Sequence, residues 1–235
     1  MEVFVEGVLW IFDPDNWSGI NAIPDRVREH VFYAVVALVV GAAIAVPIGL
    51  WTGHTGRLGN LAINIGNLGR AIPDLGIVAI AAVLIGFGIL PVILALIALA
   101  IPPMLTNTYT GVRGVDADVR DCAVGLGFTG WRLLRQVEIP LALPLIFTGL
   151  RVSTVQVIAT ATISGFIGRA GGLGRYIFDG LSMFDTPRVV AGAILVALLG
   201  VLADVGLARL QRAVIPKGYA AALAEREAAT TATRA

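Results

Sequence analysis

Polar and apolar positions divide the chain into long uncharged runs separated by short charged segments. Val31 to Trp51 holds no charged residue and suffices for one membrane span of about 20 residues. Within it Gly41, Ala45 and Gly49 recur at every fourth position, which predicts a small-residue face for close helix packing. Pro47 predicts a kink toward its inner end. Leu75 to Leu105 is also uncharged, too long for one span and too short for two, which need about 40 residues. The stretch Gly86-Phe87-Gly88-Ile89-Leu90-Pro91 is the natural tight turn within it. A second span must then begin near Leu58 to Ala62, which puts Arg70, Pro73 and Asp74 at membrane depth. The third runs from Pro91 to Tyr109, broken or kinked at Pro102-Pro103. Leu141 to Ile167 holds a fourth, with Arg151 placed to snorkel to the interface. Val189 to Leu207 is the fifth, with Asp204 near its inner end.

Between the third and fourth spans lies a different kind of segment, Val115 to Pro144, which is charged, amphipathic and bounded by Pro. Its pattern predicts a helix from Asp116 to Val124, with acids near the positive end of the dipole. Gly125, Gly127 and Gly130 then break or bend the chain. Thr129 is the expected N-cap of a second helix, Trp131 to Val137, stopped by Pro140. Trp131, Leu133, Leu134 and Val137 fall at helical spacing, with Arg132 and Arg135 between them. Such an apolar face can dock into a partner's groove.

The ends differ from the middle. Residues 1–30 form an N-terminal segment in which Val3, Trp10, Ile11, Phe12 and Trp17 suggest the interfacial level; a frayed arm is the alternative. Asp13 to Asn16 is a turn, and residues 213–235 form an Ala-, Glu- and Thr-rich tail. The transmembrane domain is expected over residues 31–212, with the charged loop at 113–140.

Composition narrows the class. The 235 residues are 57% hydrophobic and 14% charged, against about 25% charged in soluble domains, so the fold is an all-α polytopic membrane protein with five transmembrane helices. Continuous rather than alternating apolar runs disfavour a membrane β-barrel. One Cys allows no internal disulfide, and two His without a ligand pattern predict no metal centre. There is no Walker A sequence and no cleavable signal pattern. No catalytic residue, cofactor or nucleic-acid partner is predicted.

Five spans put the termini on opposite faces. One face collects Arg57, Arg113, Arg120, Arg132, Arg135 and the basic residues from Arg209 onward; the other has Arg26, Arg28, Arg169, Arg175 and Arg188. The positive-inside rule therefore places the central loop and C-terminus in the cytoplasm and the N-terminus outside.

Two polar constellations lie within the spans. Arg70 and Asp74 are four residues apart around Pro73, so they either line a pathway or neutralise each other at a kink. Ser153, Gln156, Thr160 and Ser164 share one face of the fourth span, pointing to a translocation lumen or to another helix.

The central loop resembles the cytoplasmic loop of importer-type ABC permeases. That pattern is Glu-Ala-Ala, three residues, Gly, nine residues, Ile, one residue, Leu-Pro. Asp121, Cys122, Ala123, Gly127, Val137, Ile139 and Pro140 occupy its positions with the spacing kept. Asp stands for Glu, Cys for Ala, Val for Ile and Ile for Leu. The resemblance implies a MetI-like type I importer fold in which this loop is a coupling helix against a cytoplasmic ATPase. Asp121, Ala123 and Gly127 would then shape the joint, while Trp131 and Leu134 would dock.

Arg70-Ala71-Ile72-Pro73, Gly171-Gly172-Leu173-Gly174 and the opening Trp17-Ser18-Gly19 to Ile23-Pro24 resemble osmoprotectant permeases of the glycine betaine, carnitine and choline class. Asp74 departs from that class, where a small hydroxylated residue is usual. The resemblance implies a bacterial-type plasma membrane location, two cytoplasmic ABC ATPase subunits, a second permease copy or sister permease, and an extracytoplasmic binding protein. Gly171, Gly172, Gly174 and Arg175 would form a flexible outer loop that meets the binding protein, or else a simple turn. Another solute, such as an amino acid or sulfonate, remains open, as does an ion-coupled secondary transporter acting through Arg70 and Asp74.

Overall fold

The computed structural model describes residues 2–59, 61, 63–65, 73–167 and 171–215. These contain helices and turns and no strand. In chain order the helices are α1 Glu2–Phe12, α2 Ile23–Thr55, α3 Asp74–Ile85, α4 Ile89–Arg113, α5 Ala117–Gly125, α6 Gly130–Leu133, α7 Ile139–Ala161, α8 Gly174–Met183 and α9 Thr186–Val214.

Among the described residues four helices are long and apolar enough to cross a membrane: α2, α4, the continuous stretch Gly130–Phe166 that contains α7, and α9. The predicted second span falls only partly on described residues. Its C-terminal part is α3, too short to cross alone, and Arg70 lies outside the described residues. Asp74 is described by its backbone, as the first residue of α3 after Pro73.

The spans are longer than their uncharged cores. At 1.5 Å per residue α2 is ~50 Å long, against the roughly 30 Å of a bilayer core. It begins at Ile23, with Pro24 in its first turn, and ends at Gly56 in the left-handed conformation. Its first turns therefore hold Asp25, Arg26, Arg28, Glu29 and His30 on the same rigid rod as the apolar run.

α4 is the middle of the bundle, with α2 on one side and α7 on the other. The small-residue face predicted on α2 is the first of these seams. Gly41, Ala45 and Gly49 are all buried; a Cβ at Gly41 would come 2.9 Å from Ala100 Cβ, and one at Gly49 would come 2.7 Å from Thr108 Cβ. On the other side Gly149 of α7 lies against Pro103 and Asn107. These glycines let backbones approach where a methyl group would separate them.

Pro102 and Pro103 do not break α4, which runs unbroken through both. Two side chains bond to carbonyls in the same stretch: Asn107 Nδ2 donates to Pro103 O at 2.8 Å, and Ser153 Oγ of α7 donates to Ala100 O at 2.9 Å. The turn predicted at Gly86 to Pro91 separates α3 from α4, with Gly86 at φ +92° and Gly88 at φ +156°.

Three expectations need correcting. First, Pro140 does not stop a helix at Val137. Helix α6 passes through a wide turn, Leu134–Glu138, directly into α7. In that turn the Ile139 N–H donates to Leu134 O, five residues back. The wide turn accommodates a ring that has no N–H and would crowd the carbonyl four residues earlier. Second, Gly174 and Arg175 are not part of a flexible loop: they open α8, which packs on α9. Third, the N-terminal arm is not frayed: α1 lies on α9, with Gly7 against Val190 and Pro187. Trp17 Nε1 donates back to Ile11 O at 2.6 Å, and Trp10 packs edge-on against Tyr176 at 5.1 Å.

Candidate functional site

The central loop is built by two local signals. Asp116 caps α5 by accepting from the Asp118 N–H at 3.0 Å. The helix ends on Gly127 at φ +85°, where the Phe128 N–H reaches Ala123 O at 3.0 Å and the Gly127 N–H reaches Val124 O at 2.9 Å. These two bonds form a Schellman cap, and its left-handed position is where Gly costs least. Thr129 occupies the N-cap position of α6 but makes no side-chain capping bond.

The cap presents a set of apolar side chains. Leu126 is 78% exposed and Trp131 68%, with Val119 and Val124 beside them. Asp118, Asp121 and Cys122 are exposed on the same short helix, and Arg132 and Arg135 on the next turns. Arg132 stacks on Phe128 at 4.4 Å. Ala123 is buried beneath them. Leu134 departs from the sequence expectation. It is only 6% exposed, packed with Val112 and Ala142 against Leu50, Ile139 and Ile146. It anchors the loop to the bundle, whereas Trp131 is free to dock. Helical spacing grouped them because they lie three residues apart, but it does not say which side of the helix faces the bundle.

Beneath this surface lies a joint that sequence reasoning missed. Glu138, in the wide turn, is 1% exposed. His54 Nδ1, from the last turn of α2, stands 2.6 Å from its Oε2. Arg120 Nε, from α5, stands 3.1 Å from its Oε1. Arg120 also donates to the Val112 carbonyl at the end of α4. One buried carboxylate thus joins the loop helix to three spans. Only chain positions 84 residues apart reveal the pair, and local spacing carries no sign of it.

At the other end of α2 the predicted outer loop is clamped. Gly171, Gly172 and Gly174 are buried rather than held out as a flexible loop. Glu29 Oε2 accepts from Gly172 N at 2.8 Å, Tyr33 Oη from Gly171 N at 3.1 Å and His30 Nδ1 from Leu173 N at 3.3 Å. Because Nδ1 accepts, the proton of neutral His30 is on Nε2, which donates to Ile158 O at 2.9 Å. A Cβ at Gly174 would lie 1.8 Å from Thr162 O, so the loop has no room to be anything larger. Arg175 is half-buried and pairs with Asp179 at 3.0 Å.

The polar stripe on α7 divides. Ser153 and Ser164 are fully buried and committed, Ser153 to Ala100 O and Ser164 to Gly171 O at 2.6 Å. Thr160 is also buried. Gln156 alone of the four faces open space, a groove of about 520 Å³ lined also by Thr148, Arg151, Val155 and Asp204. Arg151 does not snorkel away from the bundle. It forms a two-pronged ion pair with Asp204 of α9, at 2.8 and 2.9 Å. On apolar helices of this kind opposite charges neutralise each other, and the two-pronged geometry suits a guanidinium and a carboxylate.

Among the described residues no group of three or more His, Cys, Asp or Glu could hold a metal ion. What the bundle offers is a set of apolar spans and a capped loop projecting from one end of them. Residues 45–216 match the family of binding-protein-dependent transport system inner membrane components. The chain is 40% identical over 193 residues to the glycine betaine/carnitine/choline transport system permease protein of Bacillus subtilis, covering 82% of this chain and 88% of that one. It is 38% identical over 189 residues to the carnitine transport permease protein of Listeria monocytogenes, covering 80% and 86%. Its fold resembles that of a chain from the inward-facing MetNI methionine ABC transporter, with a TM-score of 0.72 at 20% identity over 83% of this chain and 96% of that one.

The chain therefore belongs to the family of inner membrane components of binding-protein-dependent transport systems. It is an ABC importer permease, a transport subunit rather than an enzyme.

Proposed function

We propose that this permease imports small quaternary ammonium osmoprotectants of the glycine betaine, choline and carnitine kind. The observation that carries this reading is the 38–40% identity, over four-fifths of the chain, to permeases named for those solutes. The loop at 113–140 is the coupling segment, seated on a cytoplasmic ATPase through Trp131, Leu126 and Val124. Asp121, Cys122, Ala123, Gly127, Val137, Ile139 and Pro140 hold its shape. A second permease, identical or a sister chain, completes the pathway. Five spans cross the membrane, the second running through Arg70 and Pro73 into α3, with the N-terminus outside and the C-terminus in the cytoplasm. Arg70, Asp74 and Gln156 line the solute path, while Ser153, Thr160 and Ser164 hold its wall together. On the outer side Arg175 and the exposed turn at Met183 and Phe184, rather than the buried glycines, are offered to the binding protein.

The test is uptake into proteoliposomes that contain the permease with its ATPase and binding protein. Radiolabelled glycine betaine, choline and carnitine are compared with methionine and taurine. ATP-dependent uptake of at least one quaternary ammonium solute, with neither control carried, is the expected result. Uptake of methionine or taurine alone would reassign the solute, and uptake driven by an ion gradient without ATP would overturn the mechanism.

A further inference from the structure

The Glu138 joint has a consequence for how force crosses the membrane face. A buried carboxylate is costly unless its partners stay with it, because removing one leaves an uncompensated charge. Glu138 is sealed, and its two oxygens face two different elements: His54 of α2 at 2.6 Å and Arg120 of α5 at 3.1 Å. Arg120 is itself tied to the last turn of α4 through the Val112 carbonyl. The peptide chain links α5 only to α4 and α6, and α6 to α7. Nothing in the covalent connection carries a displacement of α5 to α2. The Glu138 bridge supplies that connection. Leu134, wedged between Val112 and Ala142 with Leu50 of α2 alongside, fills the space beneath it.

We propose that Glu138 is a positioning residue for transport coupling: with Arg120 and His54 it makes the loop helix and the inner ends of α2, α4 and α7 move as one body. This rests on the reading of the loop as the ATPase-docking segment. Glu138 touches neither nucleotide nor solute. It determines which spans follow when the loop is displaced.

Cys122 is the chain's single Cys and is exposed on α5, so it takes a spin label without other changes. A second label goes on α2 through Trp51→Cys, a half-exposed position one turn before His54. The assembled transporter with its ATPase is placed in nanodiscs. The distance between the labels is read without nucleotide and with ATP bound to a hydrolysis-deficient ATPase. ATP hydrolysed per solute carried is measured in parallel, on the unlabelled complex with radiolabelled glycine betaine, choline and carnitine.

In the otherwise unaltered chain the distance stays the same in both states. In Glu138→Gln it changes between states, and solute carried per ATP falls on the order of tenfold. Arg120→Gln gives the same loss, and the double variant gives no more than either alone, since all three break one joint. Glu138→Asp, which keeps the charge, recovers part of the coupling. A merely structural role would lower yield or melting temperature while leaving the distance and the ratio alone, and that result overturns the inference. Retention of a rigid distance in both Glu138→Gln and Arg120→Gln overturns it equally. A parent complex that holds no ATPase overturns the reading of function first, and the inference with it.

Discussion

Gly127 offers a quantitative test of the loop geometry. It sits at φ +85° in the Schellman cap of α5, and nothing lies within 4 Å of where its Cβ would be. A substitution there meets no steric obstacle from neighbours, so its whole cost is backbone strain. For an L-residue in the left-handed region that strain is about 1–2 kcal/mol. It lowers the population of the native cap relative to alternatives by roughly 5- to 30-fold. Asn, which tolerates this region, recovers most of it, and a β-branched residue does worse than Ala. The order of coupling in proteoliposomes, as solute carried per ATP, is therefore Gly, then Asn, then Ala, then Val at position 127. The overall melting temperature changes little, because the cap lies on the exposed loop. Equal activity of Gly127→Val and Gly127→Asn would refute the argument, because strain would then not be what Gly127 avoids.

Other substitutions separate anchors from contacts. Leu134→Ala should cost about 2–5 kcal/mol of stability by opening a cavity against Val112 and Ala142, read as a fall in melting temperature in detergent. Trp131→Ala should leave that temperature unchanged and weaken ATPase binding by about 2 kcal/mol, read by titration of the purified ATPase. Arg151→Gln and Asp204→Asn should each destabilise the bundle, with losses in the double-mutant cycle that fall short of their sum; additive losses would mean that the pair does not act as one. Gly174→Ala should abolish assembly, because its Cβ would lie 1.8 Å from Thr162 O, whereas Gly125→Ala, with open space around it, should stay within about 0.5 kcal/mol of the parent, both read by yield and thermal melting.

Features encoded by neighbouring residues were legible before any coordinates. The Gly127 termination, the turn at Gly86 to Pro91 and the Gly41–Ala45–Gly49 seam each depend on a few adjacent positions, and each is present, whereas the cap expected at Thr129 forms at Asp116 instead. The apolar runs located the spans but understated their length, because the charged turns of α2 lie on the same helix and bond to a distant loop. Pro140 and the Pro102-Pro103 pair misled for one physical reason. Proline's lost hydrogen bond is decisive in an isolated helix, but packing within a bundle holds a helix together across it, as in the wide turn before Pro140 and in the unbroken α4. Leu134 was placed on the wrong surface because the residues that cover it, Val112, Ala142 and Leu50, come from distant parts of the chain. Glu138, His54, Glu29 and His30 were not seen, because their roles exist only across long separations in the chain.

The central claim is that the loop bearing Cys122 faces a cytoplasmic ATPase. It is tested most directly by a photo-crosslinker attached to Cys122 in the assembled complex. Illumination followed by mass spectrometry should yield a single major adduct with an ATPase subunit, reduced when Trp131→Ala weakens the docking. An adduct with the extracytoplasmic binding protein, or labelling of Cys122 by a membrane-impermeant thiol reagent added from outside intact cells, would contradict the account.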